Sequence, residues 1–529
     1  MPRHGSDTRG LEAGAMPGMG RGRFGRMFPG LHGPEYPPEA IEALAEAMIK
    51  VDKGVSITKS EPEDENHTIP AGYTYFGQFV DHDITFDPTP LRHQMLDVDA
   101  LEDFRTPALD LDCVYGSGPD DQPYLYYKGD KSSVLRLGKQ LQSSQSKVAT
   151  GYDVLRLPDD QTAILGDKRN DENKIVAQLQ SAFIAFHNRL LNDDDVLKRL
   201  GGDLSSPESR FRTAVCAARW HYQWVVVFDL LAKRFCAPGV VERLWNAGGM
   251  PRIPNYTRPE FKYAYMPIEF SGAAYRLGHS IVRPSYALNA AVGTGENRIP
   301  IFSPDEDRQK NLNGFGSIPD KWGIDWAFFL PGLQTDASDK FQLPQPSYRM
   351  DAILVDPLSK LPEFQGQTPS IDANLAFRNL KRGSKLQLPT GEQVAKALEI
   401  ESLPRDVLWS AGSKVADGIP EELQDFAAKR DKVFRDHTRA FEGQTPLWYY
   451  ILREAEYFGV DRHPGDVKRT LGGQHLGPVG SRIVAETFLG LLWFDEASFL
   501  RCRPEFAPVL PFDLEQGFLL GDVLQYALG

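Results

Sequence analysis

Apolar residues recur at three- and four-residue steps across residues 173–192. Val176, Leu179, Phe183, Phe186 and Leu190 fall on one face there and predict a helix with one buried side. Residues 211–233 are almost continuously apolar and aromatic, which predicts a helix buried on more than one side. Further helices are predicted over 41–50, 271–282, 390–399, 420–442, 447–458 and 479–492, with Pro284 stopping the second. Residues 71–90 have room for a helical turn or two before Pro88 and Pro90. Strand-like alternation is confined to short pieces, 124–127 and 163–165, and residues 285–343 read as irregular. There is no internal repeat and no heptad. The expected fold is mainly α, with long loops and few short strands. Residues 1–35, rich in Gly, Arg and Met, are expected to be a loose arm before a single domain over 36–529.

Composition narrows the function classes. The chain has 529 residues, 41% of them apolar and 25% charged, so it can bury a large core. The 47 glycines and 39 prolines fit long irregular connections between the helices. A net charge of -13 argues against a nucleic-acid partner, because phosphate binding needs a basic surface. Cys113, Cys216, Cys236 and Cys502 have no metal-site spacing. No stretch reaches the roughly 20 apolar residues of a transmembrane helix. The first residues lack the apolar run of a signal peptide, so a cytoplasmic protein is expected, with secretion by another route left open.

Four polar clusters could carry chemistry. In GQFVDHD, Gln78 and His82 are four apart and share a helix face, while Asp83 points elsewhere. Alone this segment fits half of a hydrolase metal site, a calcium ligand beside a base, or a polar turn. GDKRNDE, residues 166–172, stands just before the 173–192 helix, where Asp171 and Glu172 suit the helix dipole. His187, further along that helix, reads as a structural histidine. In AAYRLGHSIVRP, His279 sits among Leu277, Ile281 and Val282. That is the setting of a satisfied core histidine and equally of a haem axial ligand. In NLKRG, Asn379 and Arg382 are three apart.

Taken together, these segments resemble those of the animal-type haem peroxidases, the superfamily of myeloperoxidase, thyroid peroxidase and the cyclooxygenases. The match runs in order over residues 72–383 and continues more weakly through PLWYYILREAEYF and VGSRIVAETFLGLLW. The resemblance implies the helical fold of that family and a single haem peroxidase domain. It makes His82 the distal histidine, Gln78 its companion on the open side of the haem, and Arg169 the catalytic arginine. His279 becomes the iron ligand, with Asn379 as partner of its imidazole, Arg382 near a propionate, and Arg276 in the peroxidase pattern. Asp81 and Glu172 match the residues that can form ester links to the haem. TPALDLD resembles the family's calcium loop, implying one calcium ion held by Asp83, Thr106, Ala108, Asp110 and Asp112. A methionine that forms a sulfonium link in the myeloperoxidase-like pattern is replaced by Asn173, so no such link is expected. Tyr275 is one residue away from the cyclooxygenase tyrosine position and is expected to point elsewhere.

The activity implied is reduction of hydrogen peroxide through a ferryl intermediate, with oxidation of small anionic or aromatic donors. Bromide, iodide or thiocyanate are favoured over chloride. His82, near neutral in its usual pKa, suits proton transfer, and Arg169 suits stabilisation of developing negative charge. The main alternative is a haem-dependent fatty-acid dioxygenase. A metal-dependent hydrolase leaves His279 and the Asn379/Arg382 pair unexplained. A haem-free structural module leaves the joint presence of His82, Arg169 and His279 unexplained.

Overall fold

A computed structural model of the chain describes residues 24–50, 64–86, 103, 105–143, 150–246, 248–258, 263–295, 297–303, 309–334, 344–364, 371–410, 421–458 and 472–529. The described residues are mainly helical. Their longer helices are α1 (Pro38–Ala47), α2 (Gly72–Ile84), α3 (Lys174–Leu190), α4 (Pro207–Val225), α5 (Leu375–Lys385), α6 (Glu421–Asp436), α7 (Leu447–Phe458), α8 (Pro478–Phe494) and α9 (Leu520–Leu528). The strands form two-stranded pairs only, such as Glu65–Pro70 with Pro346–Tyr348. Among the described residues no helix is long and apolar enough to cross a membrane.

The centre of the fold is α3. Asn173 caps it by accepting the Ile175 N–H at 2.8 Å. Apart from Asn188 and Arg189 the whole helix is buried, because α2, α4 and α9 pack around it. Phe183 stacks on Phe79 of α2 at 4.8 Å between ring centres, and Tyr222 of α4 meets both rings edge-on. This aromatic cluster holds α2 against α3, which sets the position of every polar residue on the other face of α2. The apolar 211–233 segment starts as α4 but widens after Val225 into a π-helical stretch, Val226–Phe235. That change turns Phe235 toward α2, where Gly77 leaves room for its ring.

Several expectations need correction. The helix expected at 271–282 is broken at Ala273, whose φ of -139° and ψ of -70° are not helical. An α-turn, Ile268–Gly272, and a 3-10 segment, Ala274–His279, take its place. The segment 71–90 forms more than three turns, ending where Thr85 becomes extended, while 87–90 lie outside the described residues. Residues 124–127 are no strand: Pro123, with its fixed φ, starts the 3-10 turn Pro123–Leu125, and only Tyr126 bridges Leu135. Residues 163–165 supply a single bridge between Ala163 and Arg156.

The arm is not loose where it is described. Phe24–Gly25 pairs in parallel with Met266–Pro267, and Met27 and Phe28 are buried. The buried Glu269 carboxylate accepts the Met27 and Phe28 N–H groups at 2.9 and 3.1 Å. Arg26 donates to the carbonyls of Leu386 and Gln387. Two buried apolar side chains and a buried carboxylate that needs donors are enough to pin this segment. Residues 1–23 lie outside the described residues.

Candidate active site

One cavity of about 870 Å³ brings together candidate residues from four separate stretches of chain. Gln78, Asp81 and His82 reach it from α2, and Arg169 and Glu172 from the turn before α3. Tyr275, Arg276 and His279 come from the 3-10 segment, and Asn379 and Arg382 from α5. Its size lies within the usual range for ligand and cofactor sites. The mixture of apolar wall and a few polar groups is also typical of such sites.

The His82 wall is built by α2 and the turn Lys168–Asp171. His82 is 5% exposed, and its Nδ1 lies 2.7 Å from Asn170 Oδ1. Burial and the Arg169 charge lower its pKa to about 4, so its ring is neutral at physiological pH. Arg169 donates from Nη2 to the His82 carbonyl at 2.9 Å and lies over the Phe86 ring. Its guanidinium pairs with Asp167 at 2.7 Å. Burial alone would raise the Asp167 pKa, but Arg169 and Arg105 hold it below the ordinary carboxylate range. The cation beside the cavity is thereby fixed in place by a buried anion.

His279 and Asn379 face each other across the junction of the 3-10 segment with α5. Asn379 Nδ2 lies 2.8 Å from His279 Nδ1. Burial first, then the nearby Arg276 guanidinium, lowers the His279 pKa to about 3. Its ring is therefore neutral, the form a metal ligand needs. With Nδ1 engaged, Nε2 is the ring nitrogen left for the cavity. A half-turn of the Asn379 amide presents Oδ1 to Nδ1, and that orientation leaves Nε2 its lone pair for a metal. Winding at three residues per turn eclipses Arg276 and His279, so both serve the same wall. Arg276 is held by a hydrogen bond from Nε to the Ser271 carbonyl at 2.8 Å.

Behind His82, Asp83 turns away from the cavity and is fully buried. Its carboxylate meets those of Asp110 and Asp112, with ligand atoms within 4.8 Å of one another. Asp83 Oδ2 accepts from the Leu111 N–H and the Tyr222 hydroxyl, both at 3.1 Å, while Oδ1 has no partner among the described residues. Burial and the two neighbouring aspartates push its pKa well above the usual carboxylate range. A buried carboxylate oxygen without a donor, beside two more carboxylates, is a donor set that fits a hard divalent cation. Thr106 and Ala108 lie in the same loop, where the Thr106 carbonyl accepts the Ala108 N–H at 2.7 Å. Arg105 links this cluster to the cavity, pairing with Asp112 at 2.8 Å and with Asp167 at 2.5 Å.

All nine residues expected around a haem line the same cavity. His187 is buried elsewhere, bonded to the Tyr115 hydroxyl and the Ser133 carbonyl, as expected of a structural histidine. Tyr275 is a correction. It was expected to point elsewhere but lines the cavity, because its segment is 3-10 and forms the wall itself. Sequence reasoning also missed Asn170, Arg378 and Phe24. Asn170 carries a weak signal, a polar residue next to Arg169 in GDKRNDE, whereas Phe24 reaches the cavity only through the unexpected strand pairing.

No protein-family model matches the chain, and no curated protein matches it. Solved structures do. Peroxidase A from Dictyostelium discoideum aligns over 96% of this chain and 93% of its own, with a TM-score of 0.52 and 14% identity. A fatty acid alpha-dioxygenase from Arabidopsis thaliana aligns over 94% of this chain and 74% of its own, at a TM-score of 0.48 and 12% identity. The alpha-dioxygenase of Oryza sativa aligns over 92% and 75%, at 0.46 and 14%. At these identities the likeness is one of architecture: the chain has a mainly α fold shared with the Dictyostelium peroxidase.

Proposed function

We propose that this chain is a haem peroxidase that reduces hydrogen peroxide and oxidises small donors. The observation that carries the reading is the meeting of His82, Arg169 and His279 in one cavity, each histidine with Nδ1 engaged. The donors present fit haem. A neutral imidazole with Nε2 toward the cavity suits the iron. Arg276 and Arg382 suit the propionates, and the remaining wall is largely apolar. Asp81 and Glu172 line the cavity and are the carboxylates available for ester links. Once bound, haem would supply the iron-centred redox chemistry that cleaves the O–O bond.

The residues then have distinct tasks. His279 Nε2 would be the nitrogen that holds the cofactor. His82 Nε2 would take a proton from one peroxide oxygen and return it to the other, which leaves as water. Arg169, its charge held by Asp167, stabilises the negative charge that develops on the departing oxygen. Gln78, one turn before His82, orients a water or a halide by hydrogen bonding. Because burial holds the His82 pKa near 4, the base form persists above that pH. The rate of reaction with peroxide should therefore stay flat from pH 8 to 5 and fall as pH drops through about 4, measurable by rapid mixing.

Asp83, Asp110 and Asp112 are proposed to hold one calcium ion, with Thr106 and Ala108 in the loop that completes the site. Asp83 adjoins His82, so the ion would also brace the end of α2 that carries the base. Removal of divalent cations with a chelator is expected to lower the thermal midpoint by several degrees, and calcium should restore it. An unchanged midpoint across that cycle would count against the site.

One observation favours a second reading, lipid oxygenation. Tyr275 lines the cavity, and its buried hydroxyl has no hydrogen-bond partner among the described residues. Burial, Asp81 and Cys236 raise its pKa well above the usual phenol value. The test compares peroxide-dependent oxidation of bromide and an aromatic donor with oxygen uptake on a polyunsaturated fatty acid, in wild type and Tyr275→Phe. The main reading expects donor oxidation in both proteins and no fatty-acid oxygen uptake. Oxygen uptake that disappears in Tyr275→Phe would establish the second reading instead.

A further inference from the structure

We propose that Asn170 and Gln180 are positioning residues that fix the tautomer of His82, so that its lone pair stands on Nε2 toward the cavity. The inference rests on the peroxidase reading for its purpose, but the hydrogen-bond polarity stands on geometry alone. Three contacts form a chain. His82 Nδ1 lies 2.7 Å from Asn170 Oδ1, Asn170 Nδ2 donates to Gln180 Oε1 at 2.8 Å, and Gln180 Nε2 donates to the Cys113 carbonyl at 3.0 Å. Asn170 and Gln180 are both fully buried, so water cannot substitute for any link.

The far end decides the direction of the rest. A backbone carbonyl can only accept, so the Gln180 amide must turn its nitrogen to Cys113. Its oxygen then faces Asn170 and needs a donor, which the Asn170 amide nitrogen provides. The Asn170 oxygen is left facing His82 Nδ1, and an oxygen there requires a proton on Nδ1. Reversing any one amide would set two acceptors or two donors against each other in a buried site. The lone pair of neutral His82 is thus confined to Nε2. Asn379 on the opposite histidine has no second partner among the described residues, so its amide is not oriented in this way. The relay also ends beside Asp112, because Cys113 follows it in the loop that carries the acidic cluster.

The test reads the tautomer directly in the full chain labelled with 15N-histidine and prepared without haem. The His82 signals are identified by their loss in His82→Gln. Wild type is expected to show a protonated Nδ1 and an unprotonated Nε2. Asn170→Leu and Gln180→Met should shift His82 to a mixture or to the other tautomer, whereas Asn170→Asp, which loses the link to Gln180 but still accepts from Nδ1, should keep Nδ1 protonated. Gln180→Met leaves Asn170 in place and guards against an effect of misfolding at Asn170. In the haem-loaded chain the rate constant with peroxide should fall roughly 10- to 100-fold in Asn170→Leu and Gln180→Met. A protonated Nε2 in wild type, or one tautomer common to all variants, would overturn the relay. A tautomer that responds as expected in a wild-type chain inert to peroxide would support the relay and sink the peroxidase reading.

Discussion

Replacing His279 by alanine is expected to abolish stable haem retention and peroxide-dependent oxidation while leaving the fold intact. Among the described residues His82 and His279 are the two imidazoles that line the cavity, and they stand on elements separated by nearly 200 residues of sequence. Asn379 engages His279 at Nδ1, so the ring is already oriented for Nε2 to act as a ligand. Loss of an outer partner of a metal ligand typically costs 10- to 100-fold in affinity, and loss of the ligand itself should cost more. Haem affinity is therefore expected to fall by at least about 100-fold in titrations followed at the Soret band. The helical circular dichroism should be unchanged, because the side chain lines a cavity wall and belongs to no core cluster. Added imidazole should restore part of the haem spectrum by filling the vacated position. A variant that binds haem with wild-type affinity and spectrum would remove His279 from the role given to it.

The second large effect is expected at His82. His82→Gln should bind haem like the wild type but react with peroxide about 10² to 10⁴ times more slowly, the usual worth of a positioned proton-transfer group. The contrast between intact binding and lost rate separates this histidine from His279. Arg169→Leu should also slow the reaction, and the double variant should lose less than the product of the two single losses. Arg169 hydrogen-bonds the His82 carbonyl and so supports the base as well as the charge. Rapid mixing of each variant with peroxide gives all three rates.

What the sequence disclosed depends on the scale of the contact. α3 was legible because Val176, Leu179, Phe183, Phe186 and Leu190 repeat at helical spacing, and all five are buried. The pairing of Gln78 with His82 was legible for the same reason. α9 carries an equivalent signal, with Leu520, Val523, Leu524 and Leu528 buried at three- and four-residue steps. The break at Ala273 was announced only by Gly272 just before it, and a single Gly is tolerated inside a helical pattern. It has consequences, because a 3-10 wall admits Tyr275 to the cavity where an α-helix was expected to turn it away. The relay from His82 to Cys113 was out of reach, because its links join residues 88, 10 and 67 apart in sequence. Local periodicity predicts faces of helices. It does not say which faces meet, and both the His82 wall and the acidic cluster behind it exist only where separate segments meet.

The most direct test is an absorption spectrum of the protein purified with haem supplied, recorded before and after addition of hydrogen peroxide, with and without bromide. The peroxidase assignment predicts a ferric Soret band that shifts within the mixing time and returns to its starting form faster when bromide is present. A stable Soret band that ignores peroxide would contradict the roles given to His82 and Arg169, and failure to take up haem at all would contradict the assignment of the cavity.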